Sequence, residues 1–111
     1  MMLEFLKKCN VSNNIIEEIE VSNDKSYLFD LNCNRKECIK IIDYLKEIGI
    51  SVVDEILINE TDIFFKTKEE IKEALSNFEI PQYVKEINNN YNEIEKLYDY
   101  LWFNSYQQTC W

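Results

Sequence analysis

The chain has 111 residues, a net charge of −9 and no histidine. Its single glycine and single proline argue against a turn-rich β sandwich or barrel, because those folds need many tight reversals. The lack of histidine excludes histidine acid–base pairs, catalytic triads and histidine metal sites, and the acidic charge disfavours direct binding to a nucleic-acid backbone.

The first third of the chain predicts two helices and an irregular segment. We expect a short helix at about residues 2–9 and a second helix that Ser12 or Asn13 caps. The helical period breaks over residues 21–34, which predicts a short 3₁₀ turn or an extended patch. Residues 27–29 are too apolar for a free loop, so we expect this patch to lie under the helices.

The central segment, residues 34–58, carries a strong helix signal and a corner. Asn34 and Glu37 have the spacing of a capping box, which predicts a helix start. Apolar residues then recur at spacings of three and four, at Cys38, Ile41, Ile42, Leu45 and Ile48. Gly49 stands where a helix C-cap needs a positive φ, and Ser51 is the expected cap of the partner helix.

The last part of the chain predicts three further helices. An apolar turn over residues 59–66 leads to Thr67 and Glu70, which have the spacing of a second capping box. Pro81 fits the first turn of the next helix, where its missing N–H costs nothing. Asn90 begins a final helix, whose expected inward residues are Ile94, Leu97, Tyr98, Leu101 and Trp102.

Three segments resemble one another: FLKKCNVSNNIIEEI from Phe5, YLKEIGISVVDEIL from Tyr44 and ALSNFEIPQYVKEI from Ala74. They predict an all-α fold of about seven short helices, stacked as antiparallel helical hairpins in a small α-solenoid-like array, with short apolar turns between hairpins. The predicted units of this single domain (residues 1–111) are residues 2–33, 34–66 and 67–89, followed by a half-unit at 90–107. Chance similarity between amphipathic helices is the alternative explanation.

The run YLKEIGI from Tyr44, the short helix after it and the apolar turn DIFF at residues 62–65 resemble the helical repeats of the mitochondrial transcription termination factor family. The resemblance covers most of the chain. It implies a curved stack of helical hairpins that grips nucleic acid on a basic face. Asp62 stands where the family's turn has a proline, and this acidic chain lacks such a face, so only the architecture is carried over.

The four cysteines, Cys9, Cys33, Cys38 and Cys110, have long and irregular gaps, which predicts free thiols in a reducing compartment. The sequence has no signal-like apolar leader and no stretch of about 20 apolar residues, so we expect a cytoplasmic protein that does not cross a membrane. We predict no catalytic, cofactor-binding or metal-binding residues, and the oligomeric state is left open.

The acidic residues concentrate on the second helix of each hairpin and on the links that follow, where they would form one negative side of the stack. Aromatic residues concentrate at the C-terminus. The candidate partner-binding residues are therefore Glu17, Glu18, Glu20, Asp54, Glu55, Glu60, Asp62, Tyr106 and Trp111.

These features favour a small acidic protein–protein interaction module without catalytic activity, whose partner is a basic protein. The alternative is an acidic nucleic-acid mimic, of phage or mobile-element origin, that inhibits a DNA- or RNA-binding protein. An enzyme is the third hypothesis, and it would require a pocket with convergent polar groups.

Overall fold

Short helices joined by tight turns make up residues 3–103, which are the part of the chain that the computed structural model describes. In chain order, with η for 3₁₀ helices, they are η1 (Glu4–Cys9), α1 (Asn13–Ser22), α2 (Lys25–Cys33), α3 (Arg35–Glu47), α4 (Val53–Asn59), η2 (Thr61–Phe65), α5 (Lys68–Leu75), α6 (Ile80–Asn89), η3 (Tyr91–Ile94), α7 (Glu95–Tyr98) and a π turn (Asp99–Phe103). Residues 3–103 form no β-strand, so the all-α prediction is confirmed. None of these helices is both long and apolar enough to span a bilayer.

Local capping signals set several helix starts as the sequence predicts. The Ser12 hydroxyl accepts a hydrogen bond from the Ile15 N–H at 3.5 Å at the start of α1. At the start of α5, Thr67 and Glu70 form the complete capping box, with bonds of 3.1 and 2.9 Å. Pro81 lies in the first turn of α6, where it leaves no helical acceptor unpaired.

Two predicted caps, Asn34 and Ser51, are wrong, and both residues make long-range hydrogen bonds, Asn34 through its side chain and Ser51 through its backbone N–H. The Asn34 amide donates to the Phe64 carbonyl at 2.9 Å, which ties the start of α3 to the end of η2, and its side chain makes no cap. The Ser51 N–H donates to Asn88 Oδ1 at 2.9 Å, and the Ser51 side chain does not cap α4. Long-range contacts replace the expected local caps at both positions.

The expected irregular segment at residues 21–34 is instead mostly helical, as α2. Asp24 caps this helix, since its carboxylate accepts the Tyr27 N–H at 2.9 Å. Leu28 and Leu31 are buried on one side, whereas Phe29 is 56% exposed. The prediction treated residues 27–29 as one buried apolar segment, but these residues face different sides of a helix.

Two corners share the same backbone geometry. Gly49 has φ 101°, as predicted, and Asn10 has φ 64°. After η1, the Val11 N–H bonds to the Leu6 carbonyl, and the equivalent bond after α3 runs from Ile50 to Leu45. These bonds, with those of Asn10 and Gly49 to the carbonyls three residues back, are the Schellman pattern of a helix end. The first two predicted corners therefore correspond in structure as well as in sequence.

The predicted final helix is divided into three short pieces, η3, α7 and the π turn. Asn90 begins them, because its side chain accepts the Asn92 N–H at 3.2 Å. Ile94, Leu97 and Leu101 are buried as expected, and Tyr98 and Trp102 are half-buried. The predicted half-unit extends to residue 107, and its end lies outside the described residues.

One hydrophobic core joins the helices. η1 packs on α3, and α3 packs on α5, so the first helices of successive predicted units contact one another. The second helices of the first two units, α1 and α4, also contact one another. These contacts bring corresponding helices of neighbouring predicted units together. The hairpin array and its unit boundaries remain a prediction.

Candidate partner-binding surface

Four of the predicted acidic residues lie on two helices that contact each other. Glu17 and Glu18 are exposed on α1, and Asp54 and Glu55 are exposed in the first turn of α4. Both helices bury their apolar residues in the same core, so their exposed sides form neighbouring parts of the surface. We call these four residues the α1–α4 acidic face. Neither helix contains a lysine or an arginine.

Glu20 differs from the other acids of α1 because it is half-buried and has a partner. Its carboxylate accepts a hydrogen bond from the Leu3 N–H at 3.2 Å. The bond satisfies a backbone donor ahead of η1, a place where helix starts leave N–H groups unpaired. Glu20 therefore holds η1 against α1, and its carboxylate is less available to a partner than those of Glu17 and Glu18.

Two acids, Glu60 and Asp62, lie in the turn between α4 and α5 (residues 59–66), which we call the link. Tyrosines from three other elements donate hydrogen bonds to them. Half-buried Glu60 accepts hydrogen bonds from the Tyr91 hydroxyl at 3.1 Å and from the Tyr98 hydroxyl. Exposed Asp62 accepts one from the Tyr27 hydroxyl. Burial and these carboxylates raise the pKa values of the three phenols well above 10, so the phenols stay protonated and remain donors at neutral pH.

The aromatic residues of the C-terminal helices reach the same link. The Tyr98 and Trp102 rings stack with centroids 4.7 Å apart and planes 19° from parallel. The Lys66 ammonium, just after η2, lies 4.9 Å from the centroid of the Trp102 ring. We call Glu60, Asp62, Lys66, Tyr98 and Trp102 the Trp102 site. It joins the acidic and the aromatic groups, which the sequence suggested as two separate surfaces.

The remaining predicted residues, Tyr106 and Trp111, lie outside the described residues. Sequence reasoning placed Lys66 at the end of the turn over residues 59–66 but did not predict its contact with Trp102, and it did not connect Tyr91 with Glu60. Tyr91 lies 31 residues from Glu60 in the chain, and Tyr98 lies 38 residues away. No local pattern signals a contact over that separation. The only hint in the sequence was the density of tyrosines after residue 90.

The cysteines show no arrangement for thiol chemistry within residues 3–103. Cys9, Cys33 and Cys38 are free thiols, and Cys9 and Cys38 are buried. Burial raises the pKa of the Cys38 thiol, which disfavours the nucleophilic thiolate there. Over the same residues, cysteine, aspartate and glutamate side chains form no group of three that could hold a metal ion.

Comparisons with known protein families, curated protein sequences and solved structures found no match to this chain. The likeness to the mitochondrial transcription termination factor repeats therefore stays a resemblance between sequence patterns. Two features distinguish the surface of the described residues, namely the α1–α4 acidic face and the Trp102 site.

Proposed function

We propose that this protein is a small cytoplasmic interaction module without catalytic activity, and that it binds a basic region of another protein. The observation that carries the proposal is the α1–α4 acidic face, with four exposed carboxylates on two adjacent helices that contain no basic residue. The free thiols of Cys9, Cys33 and Cys38 support a reducing compartment.

The charges of this face are not balanced inside the described part of the molecule. The ion pairs within residues 3–103 are Lys7–Glu4, Lys40–Glu37 and Lys96–Glu93, and none of them involves α1 or α4. An approaching lysine or arginine would therefore not have to displace an internal cation. Such a face attracts a basic surface over about a Debye length, roughly 8 Å at physiological ionic strength, and it speeds association.

Nucleic-acid mimicry is the second proposal, and the pairing of the acids favours it. Glu17 and Glu18 are adjacent on α1, and Asp54 and Glu55 are adjacent on α4, so two pairs of carboxylates lie on neighbouring helices. A mimic would occupy the DNA- or RNA-binding site of its partner. The two proposals share a basic partner and differ in whether that partner can bind nucleic acid at the same time.

The test compares two variants in which four acids become neutral. The first carries Glu17→Gln, Glu18→Gln, Asp54→Asn and Glu55→Gln. The matched control carries Asp43→Asn, Glu47→Gln, Glu69→Gln and Glu73→Gln, which are exposed acids on the lysine-bearing helices α3 and α5. Affinity capture from host extract should recover a partner with the wild type at low salt, lose it in about 1 M salt, and lose it with the first variant only.

Equal loss of the partner with both variants would show that net charge alone controls binding, and the proposal of a specific face would fail. Retention of the partner by the first variant would also contradict it. An excess of duplex DNA or of RNA is then added to the captured complex: a mimic must be displaced, because it occupies the nucleic-acid site of its partner, so a complex that survives the addition excludes mimicry.

A further inference from the structure

We infer that the Trp102 site accepts an arginine side chain of the basic partner, which replaces Lys66 over the Trp102 ring. This inference rests on the proposed function and names the chemistry of one anchor in that interface. It depends on three observations: the internal cation that lies on Trp102, the acceptor positions of Glu60, and the partial exposure of the Trp102, Tyr98, Lys66 and Glu60 side chains.

Lys66 indicates which kind of group the indole ring binds. Its ammonium lies 4.9 Å from the ring centroid, within the range of a cation–π interaction. Lys66 belongs to none of the ion pairs within residues 3–103, so no carboxylate holds its ammonium in place there. A contact of this type at a half-exposed site is weak, and the long lysine side chain can turn to solvent without any change of the backbone.

The carboxylates favour arginine over lysine as the incoming cation. Tyr98 stacks on Trp102 and donates its hydroxyl to Glu60, so the carboxylate lies one hydrogen bond beyond the stacked ring. A carboxylate has about four acceptor positions, and within residues 3–103 the two tyrosine hydroxyls use only some of those of Glu60. A planar guanidinium can stack on the indole and donate to a carboxylate at once, whereas an ammonium is a compact point charge.

The site also has the composition of an interface anchor. Tryptophan, tyrosine and arginine dominate the binding energy of protein interfaces when their partners enclose them. Trp102 and Tyr98 are half-buried, which leaves part of each ring for a partner to cover. Tyr27 packs edge-on against Phe65 at 5.0 Å on the Asp62 side of the link, so half-buried aromatic rings continue across this surface.

The experiment uses Trp102 as its own probe. The chain has two tryptophans, so a Trp111→Phe background leaves Trp102 as the only tryptophan, whose emission is excited selectively at wavelengths where tyrosine absorbs little. Two capped octapeptides, one alternating arginine with glycine and the other lysine with glycine, have equal charge and differ only in the cation. In this background the arginine peptide should change Trp102 fluorescence and bind about fivefold more tightly than the lysine peptide.

A second variant tests whether Lys66 and an incoming arginine compete for the Trp102 ring. Lys66→Met should strengthen binding of the arginine peptide about threefold or more, because the ring no longer has to release a cation. Lys72→Met is the matched control, since Lys72 lies 5.8 Å from the Tyr44 ring and its loss changes the net charge equally. The control should strengthen binding of both peptides alike and only slightly.

The inference is overturned if the two peptides bind equally well, or if Lys66→Met behaves like Lys72→Met. Trp102→Leu, followed by calorimetry, should abolish the preference for arginine, and if that variant does not fold, the lysine comparison still decides. Arginine preference can fail while capture still depends on the α1–α4 acidic face, and then the proposed function survives without this anchor. If instead the arginine peptide is preferred but capture does not depend on the α1–α4 acidic face, the arginine site stands and the proposed function fails.

Discussion

Gly49 and Asn10 show how a single backbone angle fixes a corner. Both have positive φ, a region that glycine enters freely and that asparagine tolerates better than most residues. Gly49 was predictable because it is the only glycine and follows an apolar stripe. Asn10 was not predicted, because asparagine also occurs in caps and turns with negative φ, and the sequence did not distinguish these roles.

Replacement of either residue by alanine should destabilise the fold through strain. A Cβ at Gly49 would lie 3.6 Å from Val84 Cγ1, an ordinary contact, so the cost comes from the backbone angle. We expect Gly49→Ala to lower the free energy of unfolding by about 1 kcal/mol and Asn10→Ala by somewhat less. Urea unfolding measures both.

The control is Ser76→Ala, at the third predicted corner, where φ is −64°. It should change the free energy of unfolding by under about 0.5 kcal/mol. An equal effect at all three corners would contradict the assignment.

At the scale of elements, helix starts were predictable where the partner lies within one turn. The caps at Ser12 and Thr67 use N–H groups three residues away. Asn34 has the same local pattern, yet its amide donates to Phe64, 30 residues along the chain. A sequence pattern cannot rank a local partner against a distant one, because their relative free energies depend on a fold that the pattern does not contain.

Glu60 links the C-terminal helices to the centre of the molecule, so its loss should loosen them. Glu60→Ala leaves the Tyr91 and Tyr98 hydroxyls without their carboxylate, and we expect the free energy of unfolding to fall by about 1–2 kcal/mol. Because the site is partly exposed, water can replace some of the lost hydrogen bonds, so the expected loss of stability is small. Glu79→Ala is the control, because exposed Glu79 makes no cap bond at the start of α6.

Urea denaturation measures the difference between these two variants, and hydrogen exchange locates it. Amide protons of α7 should lose protection in Glu60→Ala, while those of α3 keep it. Equal protection of α7 in the variant and the wild type would show that packing of Leu97 and Leu101 alone holds these helices on the core.

At the scale of the molecule, lysines and acids are distributed unevenly among the elements of residues 3–103. η1, α3 and α5 carry lysines among their acids, whereas α1 and α4 carry acids only. The sequence showed this division, but only the contact between α1 and α4 makes it a surface. The same holds for the Trp102 site, where residues from the link and from the C-terminal helices meet. Composition and local pattern thus predicted the all-α class, and tertiary contacts decided which charges and rings adjoin.

The tyrosines give the whole molecule a specific response to alkaline pH. Burial is the largest cause that raises the pKa values of Tyr27, Tyr83, Tyr91 and Tyr98, and acidic neighbours add to it. A phenol in the unfolded chain has a pKa of about 10, and folding raises it. Their contribution to stability is therefore complete below about pH 10 and is lost as pH rises further, because the unfolded state then releases protons that the folded state retains.

We therefore expect the free energy of unfolding to fall from about pH 10 upward when it is measured by urea titration at successive pH values. Tyr98→Phe removes one of the four phenols and should make this fall less steep. Thr67→Ala should instead lower the whole curve in parallel by about 1 kcal/mol, because it removes a cap and no titrating group. A curve that stays flat to pH 11 would show that these hydroxyls ionise as easily in the folded chain as in the unfolded one. The contacts of Tyr27 with Asp62, and of Tyr91 and Tyr98 with Glu60, could then not persist in solution.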